Sequence, residues 1–303
     1  MTPLVEVLVL GKTGQLAKAL ARFHPQDWRL DFADRRQIDL VSPEPAALTV
    51  MERKPALVIN AAAYTAVDKA EAEPELAMRI NAQAPGRIAQ ACAELDVPFV
   101  TISSDYVFDG MKDNAYTEED EVCPVSAYGL SKAEGERQVR AAHTWHLILR
   151  TSWVFSAFGH NFVRTMLRLS EQVQDVNVVA DQRGKPTAAN DLAAAVITAS
   201  RTLLRDRAVA GTYHVANAGA TSSYAFAIAI FDRAKELGLS VPAVHAIDSS
   251  EYPTPARRPA NSELATDKVE RIFRLGLRHW RQPLAEVLDE LLVRPPASPS
   301  VED

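Results

Sequence analysis

The 303-residue chain is short of several things, and each shortage excludes a class of protein. Its two cysteines, Cys92 and Cys123, are too few and too far apart for a disulfide framework or a cysteine-ligated metal, so free thiols in a reducing cytoplasm are expected. The seven histidines form no i, i+4 pair of the zinc-binding kind; His143 and His146 bracket Trp145, where an ordinary structural role is expected. No apolar run approaches bilayer-spanning length. The stretch "MTPLVEVLVLGKTGQLAKAL" lacks the basic start, long apolar centre and cleavage site of a secretory leader, so a cytoplasmic location is expected. There is no basic excess either: 33 Lys and Arg against 39 Asp and Glu leave a formal charge of −6. That balance argues against nucleic-acid binding and leaves room for a local basic pocket around a phosphorylated ligand. No internal repeat is present.

What the chain does have is an alternation of buried strands and helices. Val5–Leu10 is a nearly continuous apolar strand, followed by a glycine turn and an Ala/Leu-rich helix from about Gln15 to Phe23. "WRLDFAD", "ALVINAAAY", "PFVTISSDYVF" and "HLILRTSWVF" read as further strands, with a helix from about Pro74 to Leu95 between the second and third of these. This rhythm predicts an α/β fold, a Rossmann-like doubly wound parallel sheet, with ligands beyond the carboxyl ends of its strands. Beyond Trp153 the rhythm loosens into a helix in "NFVRTMLRLSEQ", a returning strand "VNVVADQ", a helix near Asp191–Leu204 and a strand in "GTYHVAN" that rejoins the sheet. A helix after Thr221, the loop "YPTPARRPANSEL" and a last helix near Gln282–Leu292 predict a smaller C-terminal substrate-binding α/β lobe. The expected division is 1–152 with about 176–218 for the dinucleotide-binding domain, and about 153–175 with 219–293 for the lobe. The Pro-rich end, 294–303, is expected to be a disordered tail.

Gly11, Gly14 and Ala17 form G-x-x-G-x-x-A between a strand and a helix, the context in which backbone approaches a pyrophosphate at a helix N-terminus. Asp34 closes the second strand, where an acid accepts from a ribose 2′-hydroxyl, while Arg35 and Arg36 suit a 2′-phosphate; the two signals conflict. Asp39 and Leu40 are placed to flank the adenine. In "SAYGLSK", Tyr128 and Lys132 lie one helical turn apart. A phenol is a weak acid at neutral pH, and a nearby ammonium lowers its pKa, so the pair with a serine hydroxyl from Ser103-Ser104 can protonate a carbonyl oxygen as hydride arrives at its carbon. Alone, the spacing fits an ordinary amphipathic helix equally well; the dinucleotide turn and "TISSDYVF" favour the chemistry.

The segments "GKTGQLA", "VINAAAYTAVDKAE", "SSDYVFDG", "SAYGLSK", "LRTSWVF", "NFVRTMLRL" and "YPTPARRPANSEL", in this order from about Val5 to Leu292, resemble the dTDP-4-dehydrorhamnose reductase family of the extended short-chain dehydrogenase/reductases. The resemblance implies reduction of the C4 ketone of dTDP-4-dehydro-β-L-rhamnose to dTDP-β-L-rhamnose by NADPH or NADH, feeding cell-surface polysaccharide. It implies Tyr128 as proton donor, Lys132 as the cation that tunes it and holds the nicotinamide ribose, and Ser104 as the third catalytic group. Gly14, Gln15 and Leu16 would line the pyrophosphate, and Ala63, Tyr64 and Thr65 would cover the cofactor. Ser104, Asp105 and Trp153 would meet the nucleotide-sugar, with Asn161, Lys185 and Arg258 also on the substrate side. Some members carry acids at the positions of Ala19 and Asn190 and form a magnesium-bridged dimer. Neither position is acidic here, so any homodimer is expected to lack that metal. Two other functions remain open: another nucleotide-sugar reductase or epimerase, and, ranked last because the catalytic trio is intact, a non-catalytic subunit of the methionine adenosyltransferase type.

Overall fold

The computed structural model describes residues 4–292, so the tail expected at 294–303 lies outside the described residues. The first part of the chain forms β1 (Val5–Leu10), α1 (Gln15–Phe23), β2 (Trp28–Ala33), α2 (Pro43–Arg53), β3 (Leu57–Asn60), α3 (Val67–Ala72) and α4 (Pro74–Met78). A π-helical turn (Arg79–Gln83) leads into α5 (Ala84–Leu95), then β4 (Phe99–Ser104), a 3₁₀ turn (Asp105–Val107), α6 (Ala127–Ala142) and β5 (His146–Thr151). There follow β6 (Val154–Phe155), α7 (Phe162–Ser170), β7 (Asp175–Val179), β8 (Arg183–Gly184), β9 (Thr187–Ala188) and α8 (Ala189–Arg205). The remainder is β10 (Gly211–His214), β11 (Thr221–Ser222), α9 (Ser223–Glu236), β12 (Ala243–Ile247), β13 (Asn261–Ser262), α10 (Asp267–Phe273) and α11 (Arg281–Leu292).

Six strands pair in parallel in the order β2-β1-β3-β4-β5-β10. Both faces are covered. Val7, Val9, Leu57, Ile59, Leu147 and Leu149 pack on α1 and α8, while Leu8, Leu10, Val58 and Ile148 face α2, α5 and α6. This is why the strands read as continuous apolar runs rather than alternating ones. The chain leaves β1 in opposite directions toward β2 and β3, and a crevice opens at the carboxyl ends of these strands. Ala19, on α1, is buried in the core.

A smaller α/β lobe carries the later elements. β7 pairs in parallel with β12, and α7, α9 and α11 close around Phe226, whose ring meets Phe155, Phe162 and Trp280. The strand in "VNVVADQ" therefore does not return to the main sheet: it needs β12, a half-exposed strand with no strong apolar run to announce it. The strand in "GTYHVAN" does rejoin, as the edge strand β10 beside β5. No described helix is long and apolar enough to cross a membrane.

Candidate active site

The helix that carries Tyr128 and Lys132 is fixed at its start by its own sequence. Ser126 caps α6, its hydroxyl accepting from the Gly129 amide at 3.1 Å, and the Ala127 amide donates to Glu71 at 2.8 Å. Gly129 lets the first turn lie against the 3₁₀ turn, because a Cβ there would overlap the Tyr106 carbonyl oxygen. Gly135 does the same one and a half turns on, against the backbone of Asn81 in the π turn. α6 is thus pressed onto the end of β4, and Tyr128, Lys132 and Ser104 are all buried.

Ser104 donates to Asp105 Oδ1 at 2.8 Å and accepts from the Tyr106 amide at 3.2 Å. Lys132 Nζ donates to the Ile102 carbonyl at 2.6 Å. Burial pushes the Tyr128 phenol above its ordinary pKa, and the charge of Asp105 and neighbouring Tyr106 add to this, with the Ser104 hydroxyl opposing. Burial also pulls the Lys132 amine down to about 8, with Glu136 opposing. The physical reason is that both groups are dehydrated by the same packing, which favours the neutral form of each.

Around this trio the carboxyl ends of β4 and β5 hold three buried polar atoms with no hydrogen-bond partner: Ser103 Oγ, Asp105 Oδ2 and Thr151 Oγ1. Ser104 and Thr151 are register partners across the two strands. Buried polar groups are almost always satisfied, so these three atoms call for a polar partner from outside the chain, a water or a ligand. Asp105 is 2 % exposed, and its burial lifts the carboxyl to about 6 against the hydrogen bonds of Ser104 and nearby backbone. Trp153 lies two residues beyond β5 with φ +47°, a backbone strain rare for a bulky residue, and its indole lies on Gly184, where a Cβ would not fit.

The dinucleotide residues gather at the neighbouring strand ends. Gly11 has φ +98° and approaches Ala62; Gly14 is the N-cap of α1 and leaves the helix start without a side-chain cap. The free amides there and the open space over Gly14 fit a pyrophosphate. The Leu16 side chain is in the core, so only its backbone can contribute. Gln15 Oε1 is held by Ser156 Oγ at 2.7 Å and by Asn161 Nδ2 at 3.1 Å, which ties this turn to the lobe. Asp34 Oδ1 accepts from the Arg36 and Gln37 amides at 2.9 and 3.3 Å, shaping a turn at the end of β2. Arg35 meets Asp39 at 3.5 Å, both at the surface, and Leu40 is buried. Ala63, Tyr64 and Thr65 follow β3; Tyr64 donates to Glu73 at 2.6 Å, which pushes its phenol up to about 12.

On the substrate side the residues separate. Arg258 donates to the Tyr106 hydroxyl at 3.0 Å and to Asp68 at 2.8 Å, and the Tyr106 ring meets Tyr128 edge-on with centroids 5.4 Å apart. Arg258 also lines a 490 Å³ cavity with Arg257, Tyr252, Met111 and Asp109. Lys185 is half-buried, its amine lowered by burial against the charges of Glu263, Asp267 and Glu270. Asn161 is different: it caps α7 through the Arg164 amide and donates to Gln15, Ser156 and Phe158, so its side chain is occupied within the protein. A larger cleft, 550 Å³, lies by Arg87 and Gln138 at the far end of α6 and has none of this chemistry.

Three residues of the site carry no signal in the sequence. Asn81 bonds Tyr64 through both amide atoms, at 2.8 and 3.0 Å, and donates to Ser131 at 3.0 Å, joining the loop after β3 to α6. Tyr106 bridges Tyr128 and Arg258. Glu136, one turn beyond Lys132, is buried with Arg150.

The family model described as "RmlD substrate binding domain" matches residues 5–293. The chain belongs to that family. It is 43% identical over 291 residues to a dTDP-4-dehydrorhamnose reductase of Sinorhizobium fredii, covering 95% of this chain and 98% of that one. Among solved structures it is similar to the dTDP-4-dehydrorhamnose reductase of Clostridium acetobutylicum, with TM-score 0.87, 36% identity and 94% and 99% of the two chains covered. It is also similar to the Bacillus anthracis reductase solved with NADP, with TM-score 0.88, 33% identity and 95% and 99% covered. The RmlD family therefore spans both the parallel sheet and the lobe of this chain.

Proposed function

We propose that the chain reduces the C4 ketone of dTDP-4-dehydro-β-L-rhamnose to dTDP-β-L-rhamnose with NADPH or NADH. The observation that carries the reading is the neutral, buried Tyr128 phenol beside Ser104, at strand ends where three buried polar atoms lack partners. The full-length similarity to reductases named for this substrate supports it. When bound, the reduced nicotinamide supplies the hydride. Tyr128 donates its proton to the developing alkoxide, which is the stronger base. A phenol held above its ordinary pKa stays protonated through neutral pH, the state that reduction requires. Ser104 and the Lys132 ammonium stabilise the negative charge as it forms. Asp105, Trp153 and Lys185 contact the nucleotide-sugar, and the cavity lined by Arg257, Arg258 and Tyr252 takes the diphosphate end, where guanidinium groups pair with phosphate. Asp34 accepts from a ribose hydroxyl, and Arg35 and Arg36 beside it can accommodate a 2′-phosphate.

The test is to supply the keto-sugar nucleotide with either reduced cofactor, follow nicotinamide absorbance and identify the product by NMR. Oxidation of the cofactor with formation of the 4-hydroxy sugar is expected. No turnover with either cofactor would falsify the assignment.

A further inference from the structure

We propose that Glu136 is a positioning residue for Lys132: an ionised carboxylate, clamped by Arg150 one helical turn behind the lysine, that keeps its ammonium charged inside the protein. The inference rests on the reading of Lys132 given above.

Tyr128, Lys132 and Glu136 stand at i, i+4 and i+8 on α6, and all three side chains are buried. A buried ammonium has three donors to satisfy and a hydration shell to replace. Lys132 has one hydrogen bond among the described residues, to the Ile102 carbonyl. Beside Tyr128, Glu134, Glu136, Arg137 and Arg140 on α6 itself, the elements packed against this helix carry Asp68, Lys69 and Glu71 (α3), Glu75 (α4), Arg79 (the π turn), Arg87, Cys92 and Glu94 (α5), Asp105 and Tyr106 (the 3₁₀ turn), and His146 and Arg150 (β5). Glu136 is the one whose charge supports the ammonium.

A carboxylate can do this only if it is itself ionised. Glu136 is 2 % exposed, and burial alone would neutralise it. Arg150 prevents that with a two-pronged contact, Nε to Oε1 at 2.8 Å and Nη2 to Oε2 at 2.7 Å; Arg140 adds a third at 3.2 Å. Burial raises the Glu136 pKa, and the hydrogen bonds and charge of Arg150 outweigh it, leaving the group below the usual range. Arg150 is held in turn from behind: its Nη1 meets His214 Nε2 at 3.4 Å, while His214 Nδ1 lies 3.1 Å from the Tyr116 carbonyl. That geometry is a neutral imidazole donating from Nδ1 and accepting at Nε2. The chain Lys132–Glu136–Arg150–His214 thus alternates cation, anion, cation and neutral base across buried space.

The experiment follows the Cε resonance of Lys132 in protein labelled with [¹³C]lysine, assigned by its loss in Lys132→Met. The wild-type amine should titrate near pH 8, the value to which its surroundings pull it. In Glu136→Gln the midpoint should fall by about one pH unit or more, a tenfold change in proton affinity. Should that variant fail to fold because Arg150 is left unpaired, Glu136→Met combined with Arg150→Met removes both charges, an exchange buried ion pairs tolerate well. It should show a fall in the same direction, smaller than in Glu136→Gln because the Arg150 cation leaves with the carboxylate. An unmoved Lys132 midpoint in a folded variant overturns the proposal. In turnover, the alkaline limb of the pH profile should move to lower pH with the acid-side plateau retained; a merely structural role would lower the plateau and leave the limb in place. Absence of turnover in the wild-type protein would sink the reductase reading and leave the NMR result to decide Glu136 independently.

Discussion

At the scale of single residues, Tyr128 and Asp105 carry opposite consequences of one cause, burial. For Tyr128, burial preserves the proton that reduction consumes. Tyr128→Phe should lower turnover by about 10²–10⁴-fold, the usual worth of a general acid, while the dissociation constant of the reduced cofactor stays close to wild type. Near-normal turnover would show that another group donates the proton. For Asp105, burial lifts the carboxyl to about 6 and leaves Oδ2 without a partner. A carboxyl raised in the folded state binds more protons there than in the unfolded chain, so its stability contribution falls as pH rises from about 4 to about 6 and stays low above. Asp105→Asn should therefore stabilise the protein by about 1–3 kcal/mol above pH 6, shrinking toward zero near pH 4, while sugar reduction falls. Thermal unfolding across pH measures it; a gain equal at all pH would mean that the ionised carboxylate is not the source. The Tyr128–Lys132 pair was legible in the sequence because its spacing is local, whereas Ser104, 24 residues before Tyr128, was singled out from Ser103-Ser104 only by the family resemblance. Tyr106, Asn81 and Glu136 were not, since each matters through a partner far along the chain: Arg258, Tyr64 or Arg150.

At the scale of elements, α6 shows how placement depends on close backbone approach. Gly129 and Gly135 interrupt a helix in which alanine is intrinsically better by about 1 kcal/mol. Gly135→Ala should nevertheless destabilise the fold by about 1–3 kcal/mol, because its Cβ would meet the Asn81 carbonyl and push α6 off the π turn. Turnover should drop with it, and denaturant unfolding checks the sign. Gly276→Ala, where a Cβ meets nothing nearby, serves as the control. The region from Pro74 to Leu95 was legible as helical from its apolar period, but the π turn inside it was not, because that turn answers to the neighbouring α6. "HLILRTSWVF" reads as one strand and is two, since Trp153 takes a left-handed backbone that no propensity announces. α2, α10 and β12 went unread, as their apolar residues are sparse or their strand half-exposed.

At the scale of the whole molecule, the lobe and sheet are joined by polar ties at the crevice: Gln15 to Ser156 and Asn161, and Asp68 to Arg258. The buried His214 gives the molecule an acid-side weakness. Burial and the Arg150 charge push the imidazole down to about 3, so below its ordinary value near 6.5 the unfolded chain takes up a proton that the folded chain refuses. Stability from this group should fall by up to about 1.4 kcal/mol per pH unit between those values, and His214→Gln should flatten that part of the stability curve relative to wild type. Parallel curves for the two proteins would refute it. The parallel sheet, the dinucleotide turn and the Tyr128–Lys132 pair followed from the sequence alone, because buried strands, glycine turns and i, i+4 spacing are local consequences of residue type. Burial was decided only in three dimensions. It pushed the Tyr128 phenol up and the Lys132 amine down, occupied Asn161 within the protein, and set Glu136 and Arg150 behind the lysine, since desolvation and charge pairing depend on which distant segments enclose a group.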